Sequence, residues 1–223
     1  MIIAIDGPAG SGKSTVAKLV AQRLGFHYLD TGAMYRAVAV SAREHGVGLD
    51  DEAGLRALAA REAIAFEHEG AEALPSRVLI GGADVTTAIR TPWADDAVSR
   101  VARLPLVREA MVSQQRHLGG TDDVVVEGRD IGTVVFPDAE LKVFLTASAE
   151  ERARRRAAQQ SAQGHVVDEE SVQAAILRRD QADSTRKASP MAAASDAVPV
   201  DTTGLSIEQV VERIAELAGM ARQ

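Results

Sequence analysis

The chain is predicted to be a three-layer α/β protein on a central parallel sheet, with a small β-rich insertion. Three observations predict it. Four short apolar runs, IIAID (2–6), DVVVE (123–127), LKVFL (141–145) and AVPVD (197–201), have the continuous hydrophobicity of strands covered on both faces. Stretches with apolar residues at helical spacing lie between them, so strands and helices alternate. A glycine-rich loop joins the first strand to the first helix.

The first strand stops at Gly7-Pro8, and Val16, Ala17, Leu19, Val20 and Leu24 then keep helical spacing until Gly25 closes the helix. A second helix over 32–45 follows the polar break Asp30-Thr31-Gly32, and a third starts near Asp50 or Asp51. EAIAFEH and RVLIGG read as short strands around the turn-rich EGAEALPS, which makes 62–90 a small β-rich insertion. Pro92 and Pro105 suit the first turns of helices over 92–103 and 105–118. Further helices are expected over 148–163, 168–182 and 206–221, with capping boxes at Ser148/Glu151 and Ser206/Gln209.

At 223 residues, 46% hydrophobic and 26% charged, the chain suits one core with appendages. Asp and Glu outnumber Lys and Arg 32 to 25, so the net charge of -7 repels a phosphate backbone and a nucleic acid polymer is not an expected partner. The absence of cysteine excludes disulfides and thiolate metal sites. Only about five apolar residues precede Asp6, too few for a signal or membrane segment, so a cytoplasmic enzyme without membrane attachment is expected. No large apolar surface is evident, which points to a monomer.

Gly7-Pro8-Ala9-Gly10-Ser11-Gly12-Lys13-Ser14-Thr15 matches G-x-x-x-x-G-K-S/T between a strand and a helix. Such a loop turns successive N–H groups onto phosphate oxygens at a helix N-terminus, and Lys13 reaches the β and γ phosphates of ATP. Ser14 would give a hydroxyl to Mg²⁺. A GTP switch is not indicated: Asp201-Thr202-Thr203-Gly204 matches D-x-x-G but follows the last strand, and no N-K-x-D occurs. Glu127 either orients Mg²⁺ through water or is an ordinary strand-end acid. Histidines 27, 45, 68, 117 and 165 show no metal-ligand spacing, and Trp93 reads as a packing residue.

LDTGAMYR (29–36), AIRTP (88–92), VREA (107–110), EGRDIGTVVFPDA (127–139), EERARRR (150–156) and RRDQADSTR (178–186), with the phosphate loop, together resemble bacterial cytidylate kinase over nearly the whole chain. The resemblance implies transfer of the ATP γ phosphoryl group to CMP or dCMP. It also implies a core (1–31, 119–148, 184–223), a monophosphate-binding region (32–118) and a lid (149–183). Carried over by motif, Thr31, Ser99, Arg108 and Asp130 address cytosine. Arg36, Arg129 and Arg90 hold the acceptor phosphate, and Asp183 and Arg186 lie near ribose and phosphates. Thr31 stands where the family often has serine; the hydroxyl is kept, and the extra methyl bears on tolerance of deoxyribose and uracil.

Cytosine presents an N4 amino donor beside an unprotonated N3 acceptor, so its site needs an acceptor facing N4, from Asp130 or Thr31, and a donor facing N3, from Arg108 or Ser99. Asp130 could otherwise be a strand-end carboxylate paired with Arg129. An acceptor monophosphate is largely ionised at neutral pH, so arginines that position and neutralise matter more than a general base.

In SAEERARRR, Glu150–Arg154 and Glu151–Arg155 have favourable spacing. At about 100° per residue, Arg152, Arg155 and Arg156 share one face and Arg154 projects away. The first three, joined by Arg178 or Arg179, are expected to close over the transferring phosphate, with Gly164 at the lid tip. Two other readings stay open: a P-loop kinase of another small acceptor (UMP, AMP or a metabolite), and a non-catalytic ATP-binding regulatory module.

Overall fold

A computed structural model describes residues 1–120, 123–162, 164 and 166–222. Along the chain run β1 (Ile2–Asp6), α1 (Lys13–Leu24), β2 (His27–Asp30), α2 (Thr31–Glu44), α3 (Glu52–Arg61), β3 (Ile64–Glu67), β4 (Arg77–Ile80) and β5 (Ala83–Asp84). A 3₁₀ turn (Ala88–Arg90) leads to α4 (Pro92–Ala102), α5 (Pro105–Gly119), β6 (Val124–Gly128) and a π-helical turn (Ile131–Val135). The chain closes with β7 (Leu141–Thr146), α6 (Ala149–Ala162), α7 (Glu169–Thr185), β8 (Val198–Asp201) and α8 (Ile207–Ala221).

The main sheet has the order β2-β6-β1-β7-β8, and every pairing in it is parallel. Alternation along β1 splits the core in two. Ala4 joins the side chains of α2 to α5 on one face, whereas Ile3 and Ile5 join those of α1 and α8 on the other. Asp6 lies level with Gly128, so the ends of β1 and β6 open together where the strand order steps outward, the usual place for a ligand in an open α/β sheet. The insertion forms an antiparallel sheet, β3-β4-β5.

Two elements depart from expectation. His27–Asp30 is a strand although HYLD is only four residues long with polar ends; its pairing with β6 and the burial of Tyr28 and Leu29 make it one. The segment after β6 is a π-helical turn, with the N–H groups of Val135 and Phe136 bonding the carbonyls of Asp130 and Ile131.

The two capping boxes diverge. Ser206 and Gln209 bond reciprocally. Ser148 accepts the Glu151 N–H at 3.2 Å, but its own N–H goes to Thr203 Oγ1 at 3.0 Å. The Glu151 carboxylate instead takes Arg154 and Arg155, because charged guanidinium donors outcompete a neutral backbone N–H. Glu150 therefore lacks the expected bond to Arg154 among the described residues. The expected helix end at 163 and His165 lie outside the described residues. Trp93 packs against the core with the Arg43 guanidinium 4.1 Å from its ring centre, in keeping with a packing role. No described helix is long and apolar enough to cross a membrane.

Candidate active site

The phosphate loop leaves β1 at Gly7 and enters α1 at Lys13. Lys13 is buried, and its ammonium donates to the Pro8 carbonyl at 2.7 Å and reaches Ser11 Oγ at 3.4 Å. Burial first and the charge of Arg129 second hold its pKa well below the ordinary lysine value. Arg129, just past β6, donates to the Gly7 carbonyl and to Asp183 of α7, each at 2.9 Å. Arg179 of α7 completes this group: its Nε is sealed from solvent without a partner among the described residues, and burial together with Arg129 pushes its pKa down to about 10. Three cations thus crowd the mouth of a loop built to hold anions.

Beside them lies a corner of oxygen donors. Ser14 donates to Glu127 Oε2 at 2.9 Å, and the Tyr28 hydroxyl donates to Glu127 Oε1. Glu127 is buried, which raises its pKa above the usual carboxylate range, with the nearby charge of Asp30 adding to the effect. A hydroxyl and a carboxylate are hard donors of the kind Mg²⁺ selects, and two protein ligands suit an ion that keeps waters and phosphate oxygens in its shell.

The corner expected to read the base is built on the π-helical turn. Asp6, at the end of β1, accepts the N–H groups of Ile131 and Gly132 at 2.9 and 2.8 Å, which clamps the start of the turn and so places Asp130. Burial pushes the Asp6 carboxyl up to about 6. Asp130 is paired, but not with Arg129: its two oxygens take Arg108 Nη2 at 2.5 Å and Arg186 Nη2 at 3.1 Å. Arg129 is drawn instead to Asp183. The Thr31 hydroxyl donates to the Glu127 carbonyl at 2.7 Å, leaving its lone pairs for an incoming donor. A side chain at Gly128 would stand 2.8 Å from that hydroxyl, so only glycine leaves the space. Arg108 is buried, and its Nε has no hydrogen-bond partner among the described residues. Ser99 is half-buried on α4.

Arg36 is held by Asp30 at 2.9 Å and lies 3.9 Å from Asp95 of α4. Arg90 is exposed at the end of the 3₁₀ turn and has no side-chain hydrogen bond or ion pair among the described residues, so nothing ties it to the phosphate corner.

The α6 arginines of the expected clamp each meet protein acceptors. Arg152 is buried and bonds the carbonyls of Ala9 (2.9 Å) and Ala147 (3.2 Å) as well as Asp180. Arg155 bonds the carbonyl and hydroxyl of Thr202, each at 2.8 Å, and Glu151 at 2.7 Å, which ties α6 to the turn after β8. Arg156 reaches across to Asp95 at 2.9 Å. They share a face as the helical spacing predicts, but protein acceptors on that face take their charge. Arg154 is exposed, as expected. From α7 it is Arg179 that turns inward, whereas Arg178 is exposed.

Sequence reasoning missed Asp6, Tyr28, Asp95 and Asp180. For Asp6 and Asp95 the only available signal was an acidic residue at a strand end or in a helix first turn, where ordinary caps also occur; Tyr28 and Asp180 carried no such signal.

The cytidylate kinase family model matches residues 3–220. The cytidylate kinase of Pelotomaculum thermopropionicum is 50% identical over 221 residues, covering 99% of this chain and 97% of that protein. That of Carboxydothermus hydrogenoformans is 50% identical over 223 residues, covering 98% and 97%. A bifunctional pantoate ligase/cytidylate kinase of Synechococcus elongatus is 54% identical over 220 residues, which is 97% of this chain and 41% of that one. Among solved structures, an uncharacterized protein from Eubacterium ventriosum superposes with a TM-score of 0.52 at 12% identity over 97% of both chains, a likeness of fold alone.

Proposed function

The chain belongs to the cytidylate kinase family, and from that premise we propose that it transfers the γ phosphoryl group of MgATP to CMP or dCMP, giving CDP or dCDP and ADP. The observation that carries this reading is the imbalance around the phosphate loop. Lys13, Arg129 and Arg179 crowd together with burial and mutual repulsion depressing the first and last of them, an arrangement relieved when a polyanion enters.

Phosphoryl transfer demands positioning and charge neutralisation rather than covalent chemistry by the protein. Lys13 leaves the Pro8 carbonyl for the β and γ phosphates. Arg129 and Arg179 face the transferring group, and Arg36 faces the acceptor phosphate. No side-chain base is needed, because the second pKa of a monophosphate is about 6. Ser14 and, through water, Glu127 would hold Mg²⁺, which supplies charge neutralisation on the donor phosphates when bound.

In the base corner, Thr31 and Asp130 present acceptors to the N4 amino group of cytosine, and Arg108 Nε is a free donor for N3. Uracil reverses both demands, leaving buried groups unpaired. Asp183 and Arg186 stand near the ribose. Three parts cooperate in this reading: the core (1–31, 119–148, 184–223), the monophosphate-binding region (32–118) and the lid (149–183). The enzyme works as a monomer in the cytoplasm, and its partners are nucleotides rather than nucleic acid polymers.

A coupled assay of ADP release from MgATP across nucleoside monophosphates tests the proposal. The expected result is high activity with CMP and dCMP, less with UMP and little with AMP or GMP; equal rates with AMP would overturn it.

A further inference from the structure

The inward stripe of α7 is unusual for a helix docked on a protein. Val172, Ile176, Asp180 and Asp183 follow the i, i+4, i+8, i+11 spacing of one helical face, yet Ile176 is the one buried residue of the helix and Val172 is half-buried. The two carboxylates provide polar inward contacts beside them. Asp183 holds Arg129 at 2.9 Å. Asp180 Oδ1 accepts the Ala9 N–H of the phosphate loop at 2.8 Å, and its Oδ2 takes Arg152 of α6. Arg152 in turn donates to the Ala9 carbonyl. Both polar groups of the Ala9 peptide are thus held by the lid, one by each of its helices.

The packing at this point leaves no slack. A Cβ on Gly10, whose φ is +75°, would stand 2.9 Å from the Arg152 carbonyl oxygen. The root of α6 rests directly on the phosphate loop, and Asp180 binds α7 to the same spot. Arg179 is the next residue, about 100° around the helix, and nothing else among the described side chains bonds its Nε. Its place beside Arg129 is inherited from the register of α7. That register is set by Asp180 and Asp183, with Ile176 and the half-buried Val172 as apolar support.

We propose that Asp180 is a positioning residue: it locks the lid root to the phosphate loop at Ala9 and thereby sets Arg179 for phosphoryl transfer. The lid then pivots about a fixed root, and its movement is confined to the distal part of the α6–α7 hairpin. This rests on the kinase reading above; a wild-type protein inactive toward CMP would count against that reading, whereas the comparisons below test Asp180 in an active enzyme.

Asp180→Asn keeps an acceptor for the Ala9 N–H and removes the charge that holds Arg152. The expected result is a fall in kcat of about 100-fold, the scale of an ångström-level misplacement, with KM for CMP changed by less than about threefold. The CMP-to-UMP preference is unchanged, because Asp130, Arg108 and Arg186 are untouched. In an Arg179→Ala background the same substitution adds less than about twofold, whereas in an Arg36→Ala background it multiplies. As a control for folding, Asp180→Leu with Arg152→Met replaces the pair by apolar side chains, which often keeps or raises stability. This pair is expected to fold normally and to show the same kcat loss. A wild-type kcat in either variant, or a full Asp180→Asn effect without Arg179, would overturn the proposal.

Discussion

The base corner and the phosphoryl corner are neighbours that treat charge in opposite ways. In the base corner Asp130 is paired with both Arg108 and Arg186, and the turn that carries it is clamped by Asp6. In the phosphoryl corner Lys13, Arg129 and Arg179 press on one another, with burial and the charge of Arg129 depressing both Lys13 and Arg179. The difference teaches where each kind of work is done. Recognition of a base needs donors and acceptors fixed in advance, because a mispaired buried group is what rejects the wrong substrate. Charge neutralisation needs an excess that the substrate itself resolves, at some cost to the empty protein.

Lys13→Met should break the phosphoryl corner most completely. Turnover is expected to fall by about 1,000-fold or more in a coupled assay. The thermal midpoint without nucleotide should rise or stay level, because a desolvated and repelled charge has been removed. The pH dependence has a definite sign. With its folded pKa below the unfolded value, Lys13 costs the empty protein most at low pH, and the cost is relieved as pH climbs through the folded value toward the ordinary lysine range. A midpoint lowered as by an ordinary core deletion would show that Lys13 stabilises the empty fold.

Asp130→Asn tests the base corner. The ratio of kcat/KM for CMP over UMP should fall by about 100-fold or more, and the protein should also lose stability, on the order of 3 kcal/mol, because Arg108 and Arg186 lose their shared anion. An unchanged ratio would remove Asp130 from base reading.

Smaller effects separate the α6 arginines. Arg155→Ala loosens the tie to Thr202 and should raise KM for ATP by about tenfold while kcat changes little. A loss confined to kcat would return Arg155 to the clamp that helical spacing predicts. Arg154→Ala should be silent within about 0.5 kcal/mol in chemical denaturation and within error in kinetics, because its pair with Glu151 is exposed.

Much of this was legible in the sequence because the signals are local. Gly7 to Thr15 announces its loop by spacing, and the four apolar runs are long enough to declare buried strands. Thr31, Arg36, Arg108, Asp130, Asp183 and Arg186 were legible through the motifs that resemble the family rather than through periodicity, since Asp130 stands on a turn and Arg186 just past the end of α7. β2 was illegible because HYLD is too short for a pattern and becomes a strand through β6. The partners of the arginines were illegible for a related reason. Helical spacing gives the face of Arg152, Arg155 and Arg156, but not the carbonyls of Ala9 and Thr202 or the carboxylates of Asp180 and Asp95 that meet it. Those acceptors lie up to 143 residues away along the chain. Spacing predicts direction; the fold decides what stands there.

Titration calorimetry of ATP binding tests the contrast between the corners most directly. Measured in buffers of different ionisation enthalpy from neutral pH to about pH 9, it reads the protons exchanged on binding. If the empty phosphoryl corner holds Lys13 at a depressed pKa that phosphate restores, ATP binding takes up protons, the uptake grows as pH rises, and it disappears in Lys13→Met. Binding with no proton uptake across that range, or the same uptake without Lys13, would contradict the account.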